Sequence, residues 1–274
     1  MQGSLDIRFL SDAALAGTRL VHLDQRAPLR ALFPHCSNMG LPVAAITTTC
    51  GGLTGGDHLS LAVHMGQEAG AMAVAQAAEK LYRSTGADTR IDVDLHLGAN
   101  AWLEWLPQET ILFDGARLRR RTRLNLGAGS AMLAGEMLTF GRQARGEELT
   151  HGLVRDEWHV ARDGKPAWAD TFHAAESDLV AALYHPAALA GARASAMLMH
   201  AGENLGAALA LVRARLQQLN AQIRAAATIV NGILLVRWLG SDSADIRPGF
   251  AQLWMELRAL ARGLPANLPT FWHV

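Results

Sequence analysis

Trp102-Leu-Glu-Trp-Leu-Pro-Gln-Glu-Thr-Ile-Leu-Phe-Asp-Gly-Ala-Arg-Leu118 is the stretch on which the fold turns. Pro107 has no N–H to give a ladder, so it divides the run into two short strands. Leu103, Leu106, Ile111, Leu112 and Phe113 are the apolar members that bury. Glu104, Glu109 and Asp114 are then left to face water, a neighbour or a cavity. Acids beside large aromatics at a strand break are unusual for plain scaffold.

Short strands also flank this stretch. Ile91-Asp-Val-Asp-Leu-His-Leu97 alternates at period two, and Leu59, Leu61 and Val63 alternate with His58, Ser60 and His64. Leu5, Ile7 and Phe9, then Val43–Cys50, Met132–Phe140, Leu153–Val160, Ala167–His173 and Ala194–His200, read the same way. Gly55-Gly, Gly86-Ala-Asp and Asp163-Gly punctuate them. Strands at this spacing predict a mainly β body, its sheets stacked or coiled as a sandwich or solenoid. Late in the chain the period changes. Leu205, Leu209, Val212, Leu216 and Leu219 form one helical stripe over 203–219. Ile246, Phe250, Leu253, Leu257 and Leu260 form another over 243–262, with Ser243 as cap and Pro248 early, where it is tolerated. Ala226–Trp238 between them reads as a strand pair. Nothing calls for a boundary, so 1–274 is taken as one domain.

The 274 residues are half hydrophobic and 18% charged, enough for a sizeable core. With 25 basic and 25 acidic residues the formal charge is zero, which argues against nucleic-acid binding through a global field. Arg117, Arg119, Arg121 and Arg123 share one strand face without the interleaved aromatics that would stack bases. The first residues lack the order of a signal peptide, and no uncharged apolar run reaches the ~18 residues of a membrane span. A cytoplasmic location is the expectation.

Gly51-Gly-Leu-Thr-Gly-Gly-Asp57 is not a phosphate loop, having no Lys-Ser/Thr, nor a dinucleotide loop. It reads as a tight turn, with Asp57 available to point into a passage. Asp92, Asp94 and His96 share a face, but a polar solvent face of an antiparallel sheet explains them. Cys36 and Cys50 make no paired motif. Glu104, Glu109, Glu136 and Asp170 lie on strands in apolar surroundings. Two carboxylates across a cleft would suit a β-sandwich carbohydrate-active hydrolase, using Glu104 or Glu109 with Glu136. The competing reading gives each acid an arginine partner. No nucleophile elbow or zinc signature is present.

Four segments in register carry a resemblance. They are Gly51–Asp57, Gln76-Ala-Ala-Glu-Lys-Leu-Tyr-Arg83, the run from Trp102, and Gly141-Arg-Gln-Ala-Arg-Gly-Glu147. Together they resemble the UreD (UreH) family of urease accessory proteins over essentially the whole chain. The resemblance implies strand and turn at 71–84, where alanine content alone would permit a helix. It implies a non-enzymatic chaperone that links apo-urease to the helical accessory protein UreF and, through it, to the GTPase UreG. It also implies a passage for Ni²⁺ to the urease site, with no tightly bound cofactor. A conduit must release what it binds, so spaced carboxylates suit it better than a closed cage. The implied passage residues are Asp57, Glu136 and Asp170, with Glu104 and Glu109 as further candidates. Arg142 and Glu147 fix a turn. The two helices and the extended tail form the UreF face, with Trp238 and Trp254 either in that interface or in the core.

Overall fold

From Val43 onward the chain steps repeatedly from one sheet to the other, so each circuit adds a strand to both. The structure is a computed structural model that describes residues 1–14, 17–142 and 145–273. Gln143 and Ala144 of the fourth motif, and Val274 of the tail, lie outside the described residues. The strands are β1 (Gln2–Asp12), β2 (Gly17–Arg26), β3 (Leu29–Leu32), β4 (Val43–Thr48), β5 (His58–Met65), β6 (Gly70–Ala75), β7 (Glu79–Leu81), β8 (Thr89–Leu97) and β9 (Trp102–Leu106). They continue as β10 (Thr110–Leu112), β11 (Arg117–Leu126), β12 (Ala131–Phe140), β13 (Leu153–Arg162), β14 (Lys165–Ala175), β15 (Ala194–Ala201), β16 (Arg224–Val230) and β17 (Ile233–Gly240). Helices are α1 (Ser177–Tyr184), α2 (Leu205–Leu216) and α3 (Ser243–Arg262).

One sheet has the order β14-β13-β11-β8-β5-β1-β2 and the other β16-β17-β15-β12-β9-β6-β4-β3, with β7 and β10 paired at the side. The circuits are parallel: β5, β8, β11 and β13 in the first sheet, and β4, β6, β9 and β12 in the second. Antiparallel strands finish the ends, as in β1–β2, β13–β14 and β15–β17–β16. The result is the solenoid-like form of the expected stacked sheets. Its inner face repeats without slip, as Ile7 is level with Val63, Val63 with Leu95, Leu95 with Leu124, and Leu124 with Val160. A one-residue shift anywhere would turn this aliphatic row toward water.

The polar face of β8 is confirmed, but its setting is corrected. Asp92 and Asp94 face outward and meet His58 at 2.9 Å and Arg123 at 2.7 Å, while His96 stacks on His64 at 4.8 Å. The strand is parallel, not antiparallel. A parallel sheet tolerates a wet face here because the chain's own second sheet, and no crossover helix, covers the other side.

The second sheet carries a further layer outside. Ile246, Phe250, Leu253, Trp254 and Leu257 of α3 are buried against it, and Trp238 and Trp254 are core. Asp242, not Ser243, caps α3, accepting from the Ala244 amide at 2.9 Å, and Leu260 is 40% exposed, outside the buried stripe. Pro107 does break the central run, into β9 and β10, and 71–84 is strand and turn as β6 and β7. Helix α1 was not anticipated. Leu179 and Leu183, one turn apart, are the apolar pair it buries.

Candidate functional site

The interior between the sheets is not fully filled. A cavity of about 240 Å³ opens there, walled by aliphatic and Trp side chains, with Thr48, Cys50, Glu79, Thr110, Arg120 and Glu136 among its polar lining. Parity accounts for Arg120. Among the five arginines of β11, period two sends Arg117, Arg119, Arg121 and Arg123 to the outer face, where Asp88, Asp94 and Glu157 receive them. Arg120 has the opposite parity and is turned inward with Leu118 and Leu124.

Arg120 is the hub of a buried charged group. Its Nε donates to Asp156 Oδ1 at 2.9 Å, its Nη1 to Thr110 Oγ1 at 3.1 Å, and its Nη2 to Glu136 Oε2 at 2.7 Å and also to Asp156 Oδ2. Asp156 stands on β13 beside Arg120, and Glu136 on β12 of the facing sheet, so the group ties the two sheets together. Burial disfavours the Arg120 charge, but the carboxylates of Asp156 and Glu136 outweigh it and hold the guanidinium protonated, above its ordinary value. Burial, then the negative charge of Asp156, pushes Glu136 up to about 8. Glu79, at the side of the same cavity, is also raised by burial and accepts from Thr48 Oγ1 at 2.6 Å. Trp158 is 2% exposed and lines the cavity, with its indole N–H turned toward Glu136, whose charged form it favours.

Of the five carboxylates named from the sequence, Glu136 alone lines this space. Asp57 is buried at an outer hollow beside His58, Asp88 and Arg90. It accepts from the Thr54 amide at 2.8 Å and from the Met1 ammonium. Burial raises Asp57, and the ammonium and the Thr54 amide outweigh that, so its carboxyl is held below its usual range. Asp170 is at the open edge of β14, paired with Arg237 of the other sheet, with its side chain 38% exposed. Such a pair contributes little, and Asp170→Asn is expected to change unfolding free energy in urea by less than about 1 kcal/mol.

Glu104 is on the outer face of β9, under α3, bound to Arg258 and two indoles. Glu109 meets Arg247 of α3 at 2.6 Å. The hydrolase reading needed Glu104 or Glu109 to face Glu136 across an open cleft. Each of the three is instead paired with an arginine, and Glu104 lies on the opposite side of the sheet from the cavity. Among the described residues no three His, Cys, Asp or Glu side chains group as a metal-holding set. Arg142 and Glu147 do pair, and Glu147 also accepts from the Asp114 amide at 2.8 Å, which fixes the turn as expected.

The residues missed from sequence are Arg120, Asp156 and Glu79. For Arg120 the signal was present in the parity of the arginine run. For Asp156 it was the spacing Val154, Asp156, Trp158, Val160, an acid in an otherwise apolar inner row.

The chain is similar throughout to known proteins. The family model described as "UreD urease accessory protein" matches residues 1–273. A urease accessory protein UreD of Magnetococcus marinus is 45% identical over 261 residues, covering 94% of this chain and 89% of the relative. One from Methylobacterium sp. (strain 4-46) is 38% identical, covering 93% and 89%, and one from Granulibacter bethesdensis is 41% identical, covering 84% and 95%. With a parallel two-sheet coil and matches of this extent, the chain belongs to the UreD family of urease accessory proteins.

Proposed function

We propose that this chain is a non-enzymatic chaperone of urease maturation. It links apo-urease to UreF and, through UreF, to the GTPase UreG, and it conducts Ni²⁺ toward the urease active site through the space between its sheets. It works in the cytoplasm and keeps no tightly bound cofactor. The observation that carries the conduit is that Glu79, Thr48, Thr110 and Glu136 bring oxygen donors to a mainly apolar cavity, alongside Arg120. Oxygen donors of this kind suit a borderline dication, and their spread along the cavity favours transfer over retention. Asp57 and Asp170, on the outside of the body, serve as points of entry or exit. Glu104 and Glu109 hold α3 and take no part. UreF packs on the layer of α2, α3 and the tail. Among the described residues no helix is long and apolar enough to cross a membrane.

The test is urease co-expressed with its accessory proteins. Glu136→Gln leaves Arg120 bound to Asp156, so the body is expected to fold and still capture urease and UreF in pull-downs. Nickel per urease active site, measured by metal analysis, is expected to fall several-fold. Normal nickel content with Glu136→Gln would remove the cavity from the path.

A further inference from the structure

Arg120 Nη2 lies between two carboxylates from different sheets, Glu136 on one side and Asp156 on the other. One donor nitrogen shared by two carboxylate oxygens is also the position of a bridging metal ion. Divalent ions bind such oxygens at about 2.1 Å, shorter than the 2.7 Å contact to Glu136, so a small inward movement of the acids would complete the contact. Thr110 Oγ1, now 3.1 Å from Nη1, supplies a third oxygen, and the buried Trp158 indole N–H, turned toward Glu136, helps to hold that carboxyl in place.

We propose that the Arg120 guanidinium is a tethered cation that occupies a latent divalent-cation site between Glu136 and Asp156, and so prevents the interior from retaining the metal. Its role in transit rests on the conduit reading above, while the latent site itself does not. The charges explain why a resident cation is needed. Two carboxyls brought together without one must keep a proton between them, disrupt the fold or capture a dication, and a dication at sufficient concentration displaces the proton. A guanidinium is always charged and is held by directed hydrogen bonds, so it blocks tight coordination without being lost to solvent. It leaves Glu136, which it touches through one nitrogen only, as the arm that can exchange partners with a passing ion.

The proposal is tested on the purified full-length chain by equilibrium dialysis against Ni²⁺, with Mg²⁺ in parallel. Arg120→Gln removes the tethered charge and is expected to bind one Ni²⁺ at least tenfold more tightly than the wild type, with thermal stabilisation by the ion. Arg120→Gln combined with Glu136→Gln is expected to lose that gain. A variant that folds only with Ni²⁺ present supports the same conclusion. Arg120→Gln that is folded and binds Ni²⁺ no better than the wild type overturns it. Should that variant remain unfolded with and without metal, Arg120→Lys decides. Its single ammonium leaves one carboxylate free, so at least a threefold gain is expected, and unchanged affinity overturns the proposal. None of these readouts uses urease, so loss of the conduit through Glu136→Gln and loss of the latent site are separate outcomes.

Discussion

Glu104→Ala is expected to destabilise the protein by about 4 kcal/mol, within the range for breaking one half of a buried ion pair. Glu104 and Arg258 are both 0% exposed. Glu104 Oε2 accepts from Trp254 Nε1 at 2.8 Å and Arg258 Nε at 3.0 Å, and Oε1 accepts from Trp102 Nε1 at 3.2 Å. Arg258 continues to the Met39 carbonyl at 2.8 Å and to that of Pro265. One carboxylate therefore joins β9, α3, the segment before β4 and the tail. Removing it leaves a buried guanidinium and two indole N–H groups without their acceptor. At about 2–4 °C per kcal/mol for a chain of this size, the melting temperature should fall by roughly 10 °C. Glu104→Gln keeps an acceptor for the indoles and should lose less. Glu104→Leu with Arg258→Met removes both charges into an apolar layer and is expected to recover most of the loss. Calorimetry of the three variants checks this. A melting point for Glu104→Ala within a degree or two of the wild type would show that the pair does not anchor α3.

The contrast between Glu104 and Arg120 shows what a sequence exposes and what it hides. Strand identity was legible from local facts: the alternation of Ile91–Leu97, the missing N–H of Pro107, and the stripe from Ile246 to Leu257. Each of these is visible within about a dozen residues. Parallel pairing was not, because alternation at period two is the same in both kinds of ladder. For Glu104, set beside aromatic neighbours, the sequence leaves water, a neighbour or a cavity all open. In the fold Trp102 and, from α3, Trp254 donate to it, and its counter-charge comes from 154 positions away. Glu136 is named through the family resemblance, and the structure sets it on the cavity wall, paired with Arg120. Its partners could not be named, because Asp156 belongs to another circuit of the coil. The cavity exists only as the distance between two sheets, and no segment encodes that distance alone.

Glu136 also makes a prediction about pH. Its folded-state value of about 8 lies well above the ordinary 4.5, with burial as the first cause and the charge of Asp156 as the second. The folded protein therefore keeps a proton that the unfolded chain releases once pH passes 4.5. This contribution to stability is fully present below about pH 4.5, declines as pH rises, and is exhausted above about pH 8. The slope approaches one proton, about 1.4 kcal/mol per pH unit, and the total is on the order of 5 kcal/mol at most. Glu136→Gln mimics the protonated carboxyl and cannot titrate, so its urea midpoint should decline less between pH 5 and pH 8, and the variant should be the more stable of the two at pH 8.5. The difference between the two proteins isolates this group from the histidines, which both retain. Parallel pH profiles would mean that Glu136 is already ionised at neutral pH. The same proton bears on the conduit proposed above. A dication that reaches a neutral Glu136 must displace it, so nickel transfer through the wild type should quicken as pH rises from 7 toward 8, while transfer through Glu136→Gln stays low throughout.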